Sequence, residues 1–221
     1  MKKALHIDPN HFGANQQMGI LLRITGLSYH SFPYLNRSIE VNPLGQWAYA
    51  ARGRVYSNIG EFDKAEKDYK SNLEIEPNDY WTIYYYTELL VMLKRTNEAE
   101  KLLNHFQNEY PEEAYPKYCK SLLLAMRGDS LNAIRLFEKT GFDGWKRVIL
   151  YSVLNKKDDA LSLMTKLQKT DYPESQRSKY LQLSHLLWFD NLRSDSRFQE
   201  ILAKHKELYE ENLAKYGDID I

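Results

Sequence analysis

Cysteine, long apolar runs and an excess of either charge are scarce or missing in this sequence. Cys119 is the one cysteine among 221 residues, so an internal disulfide and a cysteine zinc cluster are both excluded. No apolar run approaches the roughly 20 residues of a membrane span, and no apolar segment follows the opening residues MKK. Thirty basic and thirty acidic residues cancel, which leaves no net field to attract nucleic acid or an anionic membrane. We therefore expect a cytoplasmic protein that binds neither nucleic acid nor a membrane.

Motifs for catalysis and cofactor binding are also missing. The sequence contains no P-loop, dinucleotide-binding or nucleophile-elbow motif. Its six histidines show no HExxH or other close ligand spacing, which argues against a metal site. Cys119 falls in a predicted helix without a second cysteine, and this favours a buried or groove-lining thiol over a nucleophile. We therefore expect no enzymatic activity, no cofactor and no metal.

A period of 34 residues is the strongest regularity that the sequence does have. Four prolines mark it, at Pro9, Pro43, Pro77 and Pro111. Three further columns share the period: Gly19, Gly53, Thr87 and Ser121; Gly26, Gly60, Lys94 and Gly128; and Ser31, Ala65, Ala99 and Ala133. Such a period predicts a stacked array of repeated units. Within the best unit, the pattern indicates helices at 46–60 and 62–75, the first stopped by a glycine and the second by a proline.

This pattern resembles the tetratricopeptide repeat family, whose units are helix–turn–helix pairs of 34 residues. The resemblance covers roughly residues 1–140 and rests on the prolines, the small-residue columns and the second-helix hydrophobes Leu35, Tyr69, Leu103 and Phe137. It implies an all-α fold, a right-handed α-solenoid of helical hairpins with a C-terminal capping helix. Ser31 in place of the usual alanine and Lys94 in place of the turn glycine depart from the family pattern. The run LRSDSRF resembles a segment that closes such arrays in bacterial regulators and cyclases, which suggests a bacterial protein.

The predicted organisation has four parts. They are a partial repeat with a second helix only (1–11), three full units and a fourth with a degenerate end (12–140), a shortened repeat (141–173) and C-terminal helices that cap the solenoid (174–221). Four helices are expected after the well-kept units, at about 145–154, 158–169, 175–189 and 196–215. The partial repeat lacks its first helix, so either more protein precedes it or another chain covers its apolar face.

Aromatic side chains define the candidate site. The stretch DYWTIYYY at 79–86 holds five of them in eight residues, and the resemblance implies that first helices line a concave groove. Helical spacing separates a stripe that carries Trp81 from one that carries Thr87 and packs on the partner helix. With the equivalent positions of neighbouring units, the predicted groove residues are Trp47, Arg54, Trp81, Tyr84, Tyr85, Glu88, Tyr115 and Tyr118. The alternative is that these rings pack between units as part of the core.

The predicted function is a non-enzymatic scaffold that binds a peptide or helix of a partner protein in this aromatic groove, because Trp and Tyr dominate binding hot spots. The cluster of cations that a carboxylate clamp for chaperone tails needs is missing, so that activity is not expected. Two alternatives stay open. The chain is a regulatory or sensory segment of a larger bacterial signalling protein, such as a cyclase or transcription regulator, or it is a structural oligomer. In the oligomer, copies would pair through the N-terminal half-repeat or the C-terminal helix.

Overall fold

The computed structural model describes residues 1–45, 47–168 and 177–217. Within these residues it contains thirteen α-helices, one short 3-10 helix and no β-strand, which confirms the all-α prediction. The described residues divide into two compact units. Unit 1 comprises 1–45, 47–82, 177–186 and 202–217, and unit 2 comprises 83–168 and 187–201.

Helical hairpins repeat along the chain after a short first helix, α1 (Lys2–Ile7). The five hairpins are α2 (Phe12–Ile24) with α3 (Ser28–Val41), α4 (Ala48–Asn58) with α5 (Phe62–Ile75), α6 (Tyr80–Met92) with α7 (Thr96–Glu109), α8 (Ala114–Met126) with α9 (Ser130–Glu138), and α10 (Trp145–Val153) with α11 (Lys157–Gln168). The last of these is the shortened repeat, and its helices lie close to the predicted 145–154 and 158–169. Residue 169 lies outside the described residues.

The glycines of the first small-residue column allow the two helices of a hairpin to approach closely. A Cβ atom added to Gly53 in α4 would lie 2.7 Å from Cε1 of Tyr69 in α5, and one added to Gly19 in α2 would lie 2.5 Å from Cγ of Leu35 in α3. Both distances are shorter than real Cβ contacts. Tyr69 and Leu35 are completely buried. Small residues therefore set the separation of the two helices at these two positions.

The turns between paired helices use left-handed backbone. Gly26, Gly60 and Gly128 have φ values of 93°, 82° and 84°, a region that costs glycine nothing. Lys94 occupies the same place in the third hairpin with φ of 59°. A lysine pays roughly 1–2 kcal/mol for this conformation because its Cβ approaches the following carbonyl oxygen.

In unit 1, residues from the C-terminal part of the chain pack on the first two hairpins. Tyr209 and Leu213 of α13 (Ser196–Tyr216) pack on an apolar cluster contributed by α1, α2 and the turn that follows α2. Asn212 Nδ2 donates a hydrogen bond to the carbonyl oxygen of Thr25, at 3.3 Å. The backbone of Ser178 lies against the turn at Gly26. One apolar face of α13 is thus covered by the chain's own first hairpin.

In unit 2, residues 187–201 pack on the later hairpins. A 3-10 helix (Leu187–Phe189) contacts α10, and Gln168 at the end of α11 donates a hydrogen bond to the carbonyl oxygen of Ile201 at 3.2 Å. The predicted continuous helix at 175–189 is wrong in its described part. The chain forms α12 (Tyr180–His185) and then leaves the helical conformation at Leu186, whose ψ is 129°. Residues 175 and 176 lie outside the described residues.

Candidate functional site

Trp47 and Trp81, two of the predicted groove residues, are exposed in unit 1. Their side chains are 45% and 41% exposed, respectively. Trp47 was predicted to lie within a helix, but it directly precedes α4 in a left-handed conformation with φ of 71°. Trp81 lies in the first turn of α6, where its ring meets that of Tyr80 edge-on, with centroids 5.3 Å apart. Both indoles therefore present apolar surface to solvent.

A buried carboxylate holds Trp47 in place. The indole N–H of Trp47 donates to Oδ2 of Asp79 at 2.9 Å, and Oδ1 of Asp79 accepts the backbone N–H of Thr82 at 2.8 Å. The second bond is an N-terminal cap on α6, where negative charge meets the positive end of the helix dipole. Asp79 is only 5% exposed. One carboxylate thus links the indole of Trp47 to the start of the helix that carries Trp81.

The predicted groove residues of unit 2 are mostly inside the fold. Tyr84, Glu88 and Tyr118 are buried, with exposed fractions of 3%, 3% and 0%, and Tyr85 and Tyr115 are half-buried. The ring of Tyr84 lies 4.5 Å from that of Tyr115, centroid to centroid. In unit 2 the aromatic side chains therefore contact one another more than they contact solvent.

Lys146 of α10 fills the space among these rings. Its Nζ lies 4.7 Å from the ring centroid of Tyr84, 4.6 Å from that of Tyr115, 4.4 Å from that of Tyr118 and 5.2 Å from that of Phe142. We call these five residues the Lys146 cage. Four aromatic rings around one ammonium form a multiple cation–π contact, and a single contact of this kind contributes about 0.5–2 kcal/mol.

A hydrogen-bonded chain continues from the Lys146 cage to a buried carboxylate. Lys146 Nζ donates to the hydroxyl of Tyr84 at 2.6 Å, and that hydroxyl donates to Oε1 of Glu88 at 3.0 Å. Burial raises the pKa of the neighbouring Cys119 thiol well above its ordinary value, and the charge of Glu88 adds to the rise. Cys119 is completely buried, so a thiolate nucleophile is not available there.

Arg54, the predicted cation of the groove, is half-buried on α4. Its neighbour Arg52, which no sequence motif singles out, makes a bidentate ion pair. Nε and Nη2 of Arg52 donate to the two carboxylate oxygens of Asp68, each at 2.8 Å, and Nη1 donates to Oδ1 of Asn36 at 2.8 Å. The hydrogen bond to Asp68 raises the pKa of Arg52. This pair links α3, α4 and α5 and has a structural role.

No group of three or more His, Cys, Asp or Glu side chains in the described ranges is arranged to hold a metal ion. None of the helices within residues 1–45, 47–168 and 177–217 is long and apolar enough to cross a membrane.

These hairpins, with small residues at the contact, left-handed turns and a proline after each of the first three second helices, define a helical-repeat protein. Residues 48–79 match the family model described as tetratricopeptide repeat, and this match agrees with the family resemblance of the sequence pattern. The repeat family consists generally of non-enzymatic scaffolds that bind protein or peptide partners, in agreement with the prediction that this chain is not an enzyme.

Similar proteins support the fold over nearly the whole chain. A crystal structure of a tetratricopeptide repeat protein from Parabacteroides merdae superposes with a TM-score of 0.60 at 17% identity, over 93% of this chain and 89% of that one. YrrB, described as a tetratricopeptide-repeat protein with an unusual peptide-binding site, superposes with a TM-score of 0.52 at 14% identity, over 91% of this chain and 96% of that one. In sequence, 115 residues are 28% identical to the protein O-mannosyl-transferase Tmtc3 of Drosophila melanogaster. That match spans 52% of this chain and only 12% of the relative.

Proposed function

We propose that this protein is a non-catalytic scaffold that binds a short segment of a partner protein, and that Trp47 and Trp81 are its principal contact residues. The observation that carries the proposal is that two tryptophans are each more than 40% exposed, while Asp79 holds one of them by a hydrogen bond at 2.9 Å. A large ring with a fixed position loses little conformational entropy on binding, which is why Trp is enriched in binding hot spots.

Only some of the predicted groove residues are exposed enough to contact a partner. Tyr84, Glu88 and Tyr118 are too buried to contact a partner directly. In this proposal they support the fold, Tyr84 and Tyr118 as members of the Lys146 cage and Glu88 through its hydrogen bond with Tyr84. Tyr85 and Tyr115 are half-buried and keep part of their surface for a ligand. Contact with a partner is then made mainly by apolar rings, and the expected ligand is a segment with one or two large apolar side chains.

The chain just before Trp47 adds to the apolar surface of unit 1. Val41 and Leu44 are 41% and 75% exposed, although apolar residues of this size are mostly buried. Asp79, the acidic residue bonded to Trp47, is itself buried. The region is therefore better suited to a hydrophobic anchor than to the carboxylate terminus of a peptide, which agrees with the expected lack of a carboxylate clamp.

Selection of peptides from a random display library on the immobilised full chain tests this function. Selected peptides are labelled, and their affinity is measured by fluorescence anisotropy for wild type and for the Trp47→Ala, Trp81→Ala double variant. We expect the double variant to lose at least tenfold in affinity, about 1.4 kcal/mol or more. Circular dichroism confirms that the variant is folded.

Tyr29→Ala is the matched control, because Tyr29 is an equally exposed aromatic residue of unit 1, at 48%. Peptides that bind the control as tightly as wild type but not the double variant place the contact at the two tryptophans. Equal affinity of all three proteins for the selected peptides would contradict the proposed site. The regulatory-segment and oligomer alternatives remain predictions.

A further inference from the structure

A cavity in unit 2 is lined by none of the predicted groove residues and by no residue of the Lys146 cage. It has a volume of about 440 Å3, within the roughly 300–1,000 Å3 typical of small-molecule sites. Its walls are formed by the end of α6, the end of α8, the end of α10 and residues 187–191. Its apolar lining includes Met92, Met126, Val153 and Trp188. Methionine side chains are flexible and polarisable, and they adapt to apolar ligands of different shape.

Lys94 stands at this cavity in an unfavourable backbone conformation. It lines the cavity and has φ of 59° at a turn position that holds glycine in the first, second and fourth hairpins. Glycine would avoid this strain, and it would also remove a lysine from the residues that line the cavity. Residues held in sparsely populated backbone regions cluster at functional sites, which gives a reason to ask what the lysine does there.

Among the charged residues that line the cavity, Lys94 is the one that can pair with a ligand. Its side chain makes no hydrogen bond or ion pair with any residue that the structure describes. The carboxylate of Asp190, the acidic residue in the lining, accepts a hydrogen bond from Nε of Arg193 at 2.9 Å. The amide of Asn191 donates to the carbonyl oxygen of Ser152 at 3.0 Å and to Oδ1 of Asn155 at 3.1 Å. An incoming ligand therefore meets an uncompensated cation beside apolar walls.

We infer that this cavity binds an anionic amphiphile, a compact apolar body with one carboxylate, in which the apolar part lies among Met92, Met126 and Trp188 and the carboxylate pairs with Lys94. The positive charge of Lys94 would repel a cationic ligand. A fully apolar ligand would make no favourable interaction with that charge. The same chemistry occurs in a free monocarboxylic acid and in the C-terminus of a peptide whose last residue is apolar. The inference does not depend on the function proposed for Trp47 and Trp81, since the cavity is lined by other residues.

The test is titration of the full chain with octanoate, with binding measured by calorimetry. Octanol and octylamine, which share its apolar chain, are titrated in parallel. We expect octanoate to bind at least tenfold more tightly than either. Acetyl-Leu-Leu and its C-terminal amide form a second pair that distinguishes a peptide carboxylate from a free acid. Carboxylate-dependent binding in either pair supports the inference, and its absence from both up to millimolar concentration overturns it.

Lys94→Gly is the decisive variant, because it restores the residue found at the equivalent turns and so does not threaten folding. We expect it to lose at least tenfold in carboxylate affinity while its midpoint of thermal unfolding stays equal or rises. Lys94→Arg keeps the charge and is expected to retain binding. Lys101→Ala removes an exposed cation elsewhere in unit 2 and is the control. Unchanged carboxylate affinity in Lys94→Gly would overturn the assignment of Lys94.

Discussion

The buried His205 makes the stability of the protein depend on pH in a way that a single substitution can isolate. His205 lies on α13 and is 5% exposed. Its Nδ1 accepts the backbone N–H of Lys179 at 3.4 Å, which requires that nitrogen to be unprotonated. Burial, together with a smaller contribution from the nearby charge of Lys179, lowers the pKa of His205 from its ordinary value of 6.5 to about 4. The imidazole is therefore neutral in the folded protein at neutral and mildly acidic pH.

The direction of the effect follows from the two protonation states. Between pH 6.5 and pH 4 the unfolded chain binds a proton at this histidine and the folded chain does not, so acidification favours unfolding. The stability contribution is present above about pH 6.5 and is lost progressively as the pH falls toward 4. Integrating over pH 7 to pH 5 with these two pKa values gives a loss of about 2 kcal/mol in the free energy of unfolding.

Urea unfolding of wild type and His205→Gln at pH 7 and at pH 5 measures this loss. Glutamine can still accept the Lys179 N–H through its Oε1 but does not titrate. All other ionisable groups are common to both proteins, so the difference between their two pH effects isolates His205. We expect wild type to lose about 2 kcal/mol more than the variant between the two pH values. Equal losses within about 0.5 kcal/mol would refute the assignment of a neutral, buried imidazole, since surface substitutions alone stay within that range.

Three further substitutions test the packing and the internal charges by urea unfolding. Gly53→Ala is expected to destabilise by about 1–3 kcal/mol, because its Cβ would lie 2.7 Å from a buried ring, whereas Gly13→Ala, with its nearest neighbour at 3.6 Å, is not. Asp68→Asn leaves Arg52 half-buried without its ionic partner and is expected to cost roughly 2–4 kcal/mol. Lys146→Met keeps an apolar chain but removes the cation from the four rings and from the chain to Glu88, and a loss of about 1–3 kcal/mol is expected.

Matched controls separate these effects from a general loss of charge. Glu40→Gln breaks an exposed ion pair with Arg37, at 3.0 Å, and is expected to change stability by less than about 0.5 kcal/mol. Lys101→Met removes an exposed cation from unit 2 and is the control for Lys146→Met. If Asp68→Asn or Lys146→Met cost no more than its control, the buried charge contacts would have no net role in stability.

Local pattern was sufficient to predict the helical hairpins. The 34-residue period identified the small-residue column that contains Gly53, and in the structure this position lies close against the second helix of its hairpin. The helices Trp145–Val153 and Lys157–Gln168 were also predicted to within a residue or two at each described end. Such features depend on residues within one hairpin, where spacing along the sequence determines which side chains meet.

The surroundings of the candidate site could not be predicted in the same way. Helical spacing identified the stripe of α6 with Tyr84 and Glu88, but it could not show that Lys146, 62 residues later, would occupy the space beside it. Lys146 lies in the shortened repeat, where the 34-residue register no longer applies. The hydrogen bond that holds the indole of Trp47 is likewise made with Asp79, 32 residues away. The assignment of the groove residues as a binding site therefore stays a prediction.

The packing of α13 on the first hairpin has a consequence for biosynthesis. In a simple repeat array each unit contacts only its neighbours and can fold as soon as it emerges from the ribosome. Here the hydrogen bond from Asn212 to Thr25 joins residues 187 positions apart, and the apolar cluster of the first hairpin is completed by Tyr209 and Leu213. Unit 1 therefore cannot finish folding until residue 213 has left the ribosomal tunnel. Throughout translation the growing chain exposes the apolar surface that α13 will cover, and in that interval it is open to chaperones and to aggregation.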